Sequence, residues 1–545
     1  MLRGLQIMAT ILDFPRHSEE LVKQFRSSGY WNDDTLTTYI EKWANKTPKK
    51  IAIVAPDREL TYEEWYSASL RFANALLELG LKRGDVIAIQ YPNTPEFLIA
   101  YIGIALMGGI MCTLHMPYRA GEMAPLMNHG GTKAVICWQG DDKYNAPQTM
   151  LKLKEKVSTL QHIIVIGSSK DSHLNFAELI KNSDTTPIKD QPIASDPCIL
   201  CFTSGTSASP KGVVRTYETL TANARIYSPT IELTSNDRVM VAPPFTHVFG
   251  LTCATLALCW GSTNVLMSLF TPELYADRII NAKPSILFSA PAHVAASIKA
   301  GLLDDVDLSS LKEVIIAGSV CPPEVAADLE RRMPNGRSGQ LFGMTETILI
   351  MQTPLSERPE IRHSSTGRKT DGIDIKIVNP VNDVEVNTNE EGELLLRGYA
   401  IMAGYLNNDA ANKAAFTSDG YFRSGDLATC DANGNVIITG RVKDVINRGG
   451  IKINPTDIEN ILQAHPSIIL AALVPMQDDV LGERICVFIT LTPNTSITFE
   501  EMTNYLEKNG IAKMRWPERL EIIEEMPMTP TRKIQKGELI KLLKT

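Results

Sequence analysis

The sequence has 545 residues, of which 44% are hydrophobic and 21% are charged, and its 54 basic and 62 acidic residues give a formal net charge of −8. This is the composition of a globular protein, and it excludes collagen-like, fibrous and fully disordered chains. A mildly acidic chain is a poor general binder of nucleic acid or anionic membranes, so we expect neither as a partner. The length predicts three or four folding units.

The nine cysteines are too sparse for a disulfide scaffold. Most lie in apolar runs, where a thiol behaves as a small hydrophobic group. Cys198 and Cys201 have CxxC spacing, but they lie in a strand-like run without a second pair, which disfavours zinc or redox use. The cysteine usage therefore predicts a reduced, cytoplasmic setting.

Two apolar stretches bear on targeting and on membrane insertion. The first residues have a short apolar stretch and one basic residue, then Asp13 and no small-residue cleavage site, which is a weak match to a signal peptide. The uncharged run from Phe97 to Leu114 would just span a bilayer, but Gly108 and Gly109 divide it. We therefore expect a buried helix followed by a buried strand, and no transmembrane segment.

Strand and helix patterns alternate from residue 51 onwards. The first strand precedes a helix that begins after Thr61, with Glu64 three residues later as a capping box, and that extends to about Leu81. Another helix begins at Thr94. Further strands are predicted at 85–90, 134–137, 162–166, 239–241, 285–288 and 313–317. Strands separated by helices predict parallel sheets that are covered on both faces.

The pattern changes after residue 366. Short strands at 373–378 and 392–397 are separated by Gly, Asn and Pro, which predicts a small β-rich lobe. A last piece of about 100 residues has an alternation of its own. We predict an α/β fold with a large N-terminal domain at 1–442, made of two α/β subdomains at about 30–200 and 201–340 and the β-rich lobe at 341–442, and a small α+β C-terminal domain at 443–545.

The segment from Cys201 to Val213 carries the strongest chemical signal. Five hydroxyl residues lie within seven positions, and Lys211 follows a proline; the hydroxyl residues are Thr203, Ser204, Thr206, Ser207 and Ser209. Hydroxyls and backbone N–H groups form a concave anion site, and the lysine adds a charge for phosphate. The residue order of a Walker A loop is missing. A solvated linker is not expected between two apolar runs, so the segment predicts a phosphate-binding loop.

This segment resembles the signature loop of the acyl- and aryl-CoA synthetases, which belong to the adenylate-forming superfamily. The resemblance covers nearly the whole chain, because other segments match the family's motifs in the family's order. These segments are Leu60–Glu64, Pro244–Gly250, Phe342–Glu346, Tyr421–Asp426, Gly440–Asp444 and Pro527–Lys536. The C-terminal tail is most similar to that of ligases for medium-chain, alicyclic and aryl acids.

The resemblance implies ATP, Mg²⁺ and coenzyme A as cofactors and an acyl-adenylate as the intermediate. The residues that it assigns to cofactors are the phosphate-side Thr203, Ser204, Gly205, Thr206, Ser207 and Lys211, the adenine-side Ala317, Gly318, Phe342, Gly343 and Met344, and the ribose-, hinge- and thiol-side Asp426, Arg441, Lys443, Gly449 and Gly450. Thr345 would bind the α-phosphate, and Glu346 with Thr206 would bind Mg²⁺, a hard cation that takes oxygen ligands. Thr345 and Glu346 are also compatible with a helix N-cap and a first-turn acid.

Lys533 resembles the lysine that bridges the carboxylate and the α-phosphate during adenylation. In the family the small C-terminal domain is mobile. After adenylation it swings about the hinge and brings the loop at 447–452 to the thiol arm of coenzyme A. For Gly449 and Gly450 in this loop, a plain glycine turn is the alternative. Four residues depart from the family pattern: Arg532 replaces the usual Gly, Ala208 replaces the second glycine of the phosphate loop, Tyr217 stands where many relatives have His, and Phe342 stands where Tyr is more common. Alanine adopts positive φ less easily than glycine, so the loop must use a turn that alanine accepts.

The acid pocket is implied to lie around His247, a catalytic candidate for which helix capping or packing is the alternative. Its other residues, at 290–293, 317–319 and 343–344, are mostly small and apolar. Relatives that activate amino acids place an Asp in the 245–250 region, and this sequence has none there. An unpaired ammonium in such a pocket would be costly, so we expect a small carboxylic acid that is not an amino acid.

Three functions are compatible with these motifs. The leading one is an acid–CoA ligase. The alternative is an adenylating enzyme that loads the phosphopantetheine of a carrier protein, and a third is a non-catalytic nucleotide-binding relative, suggested by Arg532. Intact Lys211, Glu346, Asp426 and Lys533 argue against the third. A homodimer is left open.

Overall fold

The structure, a computed structural model, describes residues 14–168, 173–203, 210–529 and 533–543. These residues form two compact units. The first unit comprises the described residues of 1–374 and 397–416, and the second comprises those of 375–396 and 417–545. Each unit has its own sheets and its own hydrophobic core.

Helices and strands alternate along the first unit, as the sequence predicts. In chain order they are α1 (Glu19–Ser27), α2 (Leu36–Lys46), β1 (Ile51–Val54), β2 (Glu59–Thr61), α3 (Tyr62–Glu78), β3 (Val86–Gln90), α4 (Pro95–Leu106), β4 (Ile110–Thr113), α5 (Ala120–His129), β5 (Thr132–Trp138), α6 (Ala146–Lys154), β6 (His162–Ile166), β7 (Leu174–Asn175), α7 (Phe176–Asn182), β8 (Pro197–Thr203), β9 (Lys211–Thr216), α8 (Tyr217–Tyr227), β10 (Arg238–Val241), α9 (Val248–Trp260), β11 (Thr263–Leu266), α10 (Pro272–Ala282), β12 (Ile286–Ser289), α11 (Pro291–Lys299), β13 (Glu313–Ile316), α12 (Pro323–Arg332), β14 (Arg337–Met344), β15 (Ile348–Gln352), α13 (Pro359–Ser364) and β16 (Arg368–Lys369).

Two sheets form the framework of the first unit. The seven-stranded sheet has the order β7-β6-β5-β3-β4-β8-β9 and is parallel except for β9. The nine-stranded sheet has the order β16-β15-β14-β13-β12-β10-β11-β1-β2, and its strands from β14 to β1 are parallel. In this sheet the chain runs outwards in both directions from the β10/β12 pair. Ligands of open α/β sheets bind outside the carboxyl ends of the strands at such a switch point.

Local sequence accounts for where α3 begins and ends. The Thr61 hydroxyl accepts a hydrogen bond from the Glu64 N–H at 3.2 Å, and the Glu64 carboxylate accepts one from the Thr61 N–H at 2.8 Å, so the predicted capping box is confirmed. The helix ends at Glu78, before the predicted Leu81. Gly80, with φ of 84°, stops it there because a left-handed residue cannot continue an α-helix.

The apolar run from Phe97 to Leu114 is a buried helix followed by a buried strand, as predicted. It contains most of α4, then Gly108 with φ of 69°, then β4. All residues of α4 except Glu96, and all residues of β4, are buried in the first unit. Among the described residues, no helix combines the length and the apolar character needed to span a membrane.

The second unit contains the short strands and the C-terminal elements. The elements that follow β16 in the chain are β17 (Ile373–Val378), β18 (Gly392–Gly398), α14 (Asp409–Ala415, in the first unit), β19 (Phe422–Cys430), β20 (Val436–Arg441), β21 (Ile446–Arg448), β22 (Ile451–Ile453), α15 (Pro455–Gln463), β23 (Ile468–Asp478), β24 (Gly482–Leu491), α16 (Phe499–Lys508), β25 (Arg519–Ile522) and α17 (Lys536–Leu542). One sheet has the order β17-β18-β19-β20, and the other has the order β22-β21-β24-β23 with β25 beside β24. The predicted division at residue 442 stays a prediction, and so do the predicted bounds of the subdomains within 1–442.

Candidate functional site

The predicted phosphate loop connects two paired strands of the seven-stranded sheet. Thr203 ends β8 and Lys211 begins β9, and the two residues face each other across the antiparallel pair. Ser204, Gly205, Thr206 and Ser207, together with Ala208, lie outside the described residues. The described flanks therefore place Thr203 and Lys211 at the carboxyl end of β8, beside the parallel strand β4.

Thr345 and Glu346 form the turn of a β-hairpin. The hairpin joins β14 to β15, so the alternative of a helix N-cap and a first-turn acid is wrong. Gly343 is required in this hairpin, because a Cβ there would overlap the carbonyl oxygen of Ile348. Ile348 has a φ of 58°, which is a strained conformation for a β-branched residue. Strain of this kind persists only where the surrounding structure holds it, and it is common at functional sites.

Tyr405 links this turn to the phosphate-side lysine. Its hydroxyl donates a hydrogen bond to Glu346 Oε1 at 2.8 Å, and the Lys211 ammonium lies 5.1 Å from the centroid of its ring. Burial, followed by the negative charge of Glu346, raises the pKa of Tyr405 well above its ordinary value, so the phenol stays a donor. Sequence reasoning missed Tyr405, because no spacing pattern distinguishes it from a packing tyrosine.

Arg215 ties the same turn to β9. Its side chain is 1% exposed, and it donates to the backbone oxygens of Thr345 at 2.5 Å and Ala400 at 2.7 Å. Burial lowers the pKa of the guanidinium to about 10, while the charge of Glu346 acts in the opposite direction. Sequence reasoning also missed this residue, although an arginine within the apolar run at 213–216 was an available signal.

His247 lies at the switch point of the nine-stranded sheet, in the loop after β10. It is the N-cap of α9, and its Nδ1 accepts a hydrogen bond from the Phe249 N–H at 3.2 Å. The capping alternative is therefore confirmed for His247, and it does not exclude a role in the pocket. The imidazole also stacks on His115, with ring centroids 6.1 Å apart. Val248 and Phe249, which follow it, are buried apolar residues.

Buried polar side chains from the seven-stranded sheet hold the His247 loop. The Asn93 amide donates to the Pro243 carbonyl oxygen at 2.9 Å and accepts from the Phe245 N–H at 2.6 Å. His115 Nδ1 lies 3.1 Å from the Thr246 hydroxyl. Asn93 follows β3 and His115 follows β4, so the carboxyl ends of the two sheets meet at this loop.

The other pocket and adenine-side residues follow neighbouring strands of the nine-stranded sheet. Ala317 and Gly318 come after β13, and Phe342, Gly343 and Met344 end β14, which pairs with β13 in parallel. His293 lies in the first turn of α11, after β12, and stacks on Phe270 at 4.1 Å. The predicted residues of this group thus lie together at the carboxyl ends of neighbouring strands in one sheet.

In the second unit, the two ribose-side candidates form an ion pair. Asp426 on β19 is 5% exposed, and Arg441 on the neighbouring β20 donates through Nε to its Oδ1 at 2.8 Å. Lys443 lies in a short 3₁₀ turn that follows β20, and it is exposed. Gly449 and Gly450 form the two-residue turn between β21 and β22, with φ of 58° and 89°. Two positive φ values explain the glycine pair, since such hairpin turns favour glycine at both positions.

Lys533 is joined to Thr529 by two hydrogen bonds. Its carbonyl oxygen accepts from the Thr529 N–H at 2.7 Å, and its own N–H donates to the Thr529 hydroxyl at 3.1 Å. A bridge between Met528 and Ile534 continues the pairing. The backbone of Lys533 is therefore held, and its residue is exposed. Arg532 lies outside the described residues.

The described residues contain no group of three His, Cys, Asp or Glu side chains suited to a metal ion. Glu346 offers one buried carboxylate, oriented by Tyr405. This fits Mg²⁺, which commonly uses one or two carboxylates together with phosphate oxygens and water instead of an all-protein cage. Thr206, the other predicted ligand, lies outside the described residues.

Comparisons with known proteins agree with this arrangement. The family model described as AMP-binding enzyme matches residues 40–406, and the model of the AMP-binding enzyme C-terminal domain matches residues 457–533. The chain is 29% identical to a medium-chain fatty-acid–CoA ligase of Escherichia coli, over 95% of this chain and 92% of that protein. It is 30% identical to a salicyl-AMP ligase/salicyl-S-ArCP synthetase of Mycobacterium tuberculosis, again over 95% and 92%.

The fold is also shared with solved structures. The crystal structure of the anthranilate CoA ligase AuaEII with anthranoyl-AMP has a TM-score of 0.85 at 23% identity, covering 94% of this chain and 98% of that one. This likeness confirms the predicted α/β fold with a large N-terminal and a smaller C-terminal part. With the match over residues 40–406, it follows that the chain belongs to the AMP-binding enzyme family.

Proposed function

We propose that the chain activates a carboxylic acid with ATP and transfers the acyl group to coenzyme A. In the first step a carboxylate oxygen attacks the α-phosphorus of ATP and the bond between the α-phosphorus and the bridging oxygen to the β-phosphate breaks. Pyrophosphate departs, and the product is an acyl-adenylate. In the second step the thiol sulfur attacks the acyl carbon and AMP leaves. The observation that carries this proposal is the contact of Tyr405 with both Glu346 and Lys211, since it supports a common site for metal and phosphate.

The roles of the residues follow from their charges. Lys211 supplies positive charge to the phosphates, Thr203 and Thr345 supply hydrogen bonds, and Glu346 with Thr206 would hold Mg²⁺. Bound Mg²⁺ would neutralise phosphate charge that otherwise repels the incoming carboxylate. Asp426 and Arg441 bind the ribose, with Lys443 as the hinge. The second unit supplies Lys533 to adenylation and the Gly449–Gly450 turn to thiol transfer.

The proposed substrate is an aliphatic, alicyclic or aryl carboxylic acid that is not an amino acid. Val248 and Phe249 beside His247 are buried and apolar, and residues 243–250 contain no acidic side chain that would pair with an α-ammonium. The name of the Escherichia coli relative supports an aliphatic acid, and that of the Mycobacterium tuberculosis relative supports an aryl acid. Ala317, Gly318 and Met344 would complete the pocket.

A carrier protein is the second candidate for the thiol. The name of the Mycobacterium tuberculosis relative describes a salicyl-S-ArCP synthetase as well as a salicyl-AMP ligase, and the two chains align along nearly their whole length. The first half-reaction would be the same, but the phosphopantetheine thiol would arrive on a protein. In that case the chain needs a docking surface for the carrier.

The test of the proposed function is acid-dependent exchange of pyrophosphate into ATP. We expect exchange with at least one acid from a panel of medium-chain, alicyclic, benzoic and cinnamic acids, and no exchange with amino acids. Binding of ATP without exchange for any acid would contradict catalysis and favour a nucleotide-binding role.

Thiol choice separates the two ligase functions. With an acid that supports exchange, we expect free coenzyme A to be converted to the acyl-CoA, measured by mass spectrometry. Acylation of a phosphopantetheinylated carrier protein, with free coenzyme A left unchanged, would instead establish the second candidate.

We also propose a cytoplasmic location. All nine cysteines lie within the described ranges and are present as thiols. Burial raises the pKa of all nine, for example that of Cys201 to about 11, so they are inert packing groups. Unpaired cysteines of this kind are typical of a reducing compartment.

A further inference from the structure

We propose that Tyr405 is a positioning residue that holds the metal-binding carboxylate of Glu346 and the phosphate-binding ammonium of Lys211 in one geometry. This inference rests on the proposed function, because it assumes that Glu346 binds the divalent cation that accompanies ATP. Tyr405 lies outside the predicted motifs, and its hydroxyl and its ring act on different partners.

The hydroxyl acts on the carboxylate. It donates to Glu346 Oε1 at 2.8 Å inside the protein, where Glu346 is 6% exposed and Tyr405 is 4% exposed. Carboxylates that bind metal ions commonly accept hydrogen bonds from neighbouring side chains. A donor on one oxygen also fixes the rotation of the carboxylate group. Partners of this kind commonly change metal affinity by 10- to 100-fold.

The ring acts on the lysine. The Lys211 ammonium lies 5.1 Å from the ring centroid, within the range in which the face of an aromatic ring attracts a cation. Lysine has a long, flexible side chain, so an attraction of this type reduces the range of positions that its ammonium group occupies. One side chain thereby holds a cation through its ring and an anion through its hydroxyl.

The backbone around Tyr405 is held by the elements that carry its two partners. Tyr405 forms a bridge with Val213 on β9, and the next residue, Leu406, donates its N–H to the Gly212 carbonyl oxygen at 2.8 Å. The Asn412 side-chain amide accepts from the Tyr405 N–H at 2.6 Å and donates to its carbonyl oxygen at 3.0 Å. Nearby, Met402 donates its N–H to the Glu346 carbonyl oxygen at 2.8 Å.

This construction has a functional consequence. The strand that begins with Lys211 and the turn that contains Glu346 belong to different sheets, and Tyr405 contacts a side chain from each. Small displacements between a metal ligand and a phosphate-binding cation weaken a site that needs both at once. Tyr405 therefore couples metal affinity to nucleotide binding.

The experiment measures metal and nucleotide binding without turnover. The full-length protein is saturated with α,β-methylene-ATP, and Mn²⁺ is titrated while free Mn²⁺ is followed by electron paramagnetic resonance. We expect Tyr405→Phe to weaken Mn²⁺ binding by roughly 10-fold. Binding of the same nucleotide in excess EDTA is expected to be unchanged in Tyr405→Phe, which keeps the ring, and weakened in Tyr405→Leu, which loses it.

Tyr399→Phe is the matched control. Tyr399 is a buried tyrosine of the same unit that stacks on Tyr30 with centroids 5.4 Å apart, and its loss of a hydroxyl is expected to leave Mn²⁺ affinity at the wild-type value. Thermal unfolding of each variant reports on folding. Wild-type Mn²⁺ affinity in Tyr405→Phe, or an equal loss in Tyr399→Phe, would overturn the inference.

Glu346→Gln distinguishes this inference from the proposed function. If Glu346→Gln loses Mn²⁺ binding while Tyr405→Phe retains it, only the role of Tyr405 is wrong. If Glu346→Gln itself retains wild-type Mn²⁺ affinity, the metal assignment to Glu346 fails and the inference fails with it. Losses in both variants support the inference.

Discussion

Among the described residues, no carboxylate contacts the buried guanidinium of Arg215, which is uncommon for a buried arginine. Its two terminal nitrogens donate to the backbone oxygens of Thr345 and Ala400, and its Nε has no partner among the described residues. A lysine could not reproduce this pair of hydrogen bonds, because it presents one point charge instead of a planar set of donors. Arg215 thus holds the Thr345–Glu346 turn through its backbone, and the carboxylate of Glu346 lies within its electrostatic influence.

We predict that Arg215→Met lowers the free energy of unfolding by about 1–3 kcal/mol, because two backbone oxygens lose their donors. We also expect pyrophosphate exchange to fall by roughly 10- to 100-fold as the turn shifts. The control is Arg278→Met, since Arg278 is 5% exposed and donates to the backbone oxygens of Leu266 and Val54. A similar loss of exchange in both variants would mean that Arg215 contributes only stability.

Substitution of Lys533 is expected to affect the two half-reactions differently. We expect Lys533→Ala to abolish acid-dependent pyrophosphate exchange, because the pentavalent transition state joins two negative groups and loses its cation. Thioester formation from supplied acyl-adenylate should continue. Lys541→Ala removes an exposed lysine of the same unit and is the control. Loss of both half-reactions in a folded Lys533→Ala variant would contradict the assigned role.

At the scale of elements, the turn between β21 and β22 can be altered by a substitution that creates no clash with neighbouring atoms. Gly450 has a φ of 89°, and a Cβ at this position would meet nothing within 4 Å. An alanine there is therefore strained by its backbone conformation and not by a clash. Gly510 offers the same combination, with φ of 78° and open space, at the end of α16.

We predict that Gly450→Ala and Gly510→Ala each cost about 1–2 kcal/mol of stability, since each forces a left-handed conformation on an L-residue. Gly450→Ala alone is expected to slow thioester formation while pyrophosphate exchange stays at the wild-type rate. The measurement compares both half-reactions in both variants. Equal rates of thioester formation in the two variants would contradict a role of the Gly449–Gly450 turn in this half-reaction.

At the scale of the whole molecule, the first unit depends on contacts between the carboxyl ends of two separate sheets. Asn93 and His115, which follow strands of the seven-stranded sheet, hold the loop that carries His247 after β10. His115 is 9% exposed, and burial lowers its pKa to about 4. The imidazole is therefore neutral in the folded protein at neutral pH.

This lowered pKa predicts a pH dependence of stability. The unfolded chain takes up a proton on His115 near its ordinary pKa of about 6.5, whereas the folded protein does so only near 4. The contribution of His115 is therefore fully present above about pH 6.5 and is lost, by about 3 kcal/mol, as the pH falls towards 4. Urea unfolding of wild type and His115→Asn should show a stability difference that changes over this range. A constant difference would contradict the prediction.

The sequence by itself determined the features that depend on neighbours along the chain. The capping box at Thr61, the helix and strand at Phe97 to Leu114 and the Gly449–Gly450 turn arise from local chemistry, and the structure has all three. The alternation of strand and helix patterns also predicted the α/β fold. The motif order predicted the family, because short segments with characteristic hydroxyl, acidic and basic residues can be recognised without the fold.

Only the tertiary structure showed the residues that join these segments. Tyr405 meets Glu346 across 59 positions, Arg215 meets Thr345 across 130, and His115 meets Thr246 across 131. No local pattern encodes such partners, since a buried tyrosine, arginine or histidine looks the same in sequence whatever it contacts. Packing of the two sheets decides which distant side chains meet, and hence which residues position the turn, the lysine and the acid pocket.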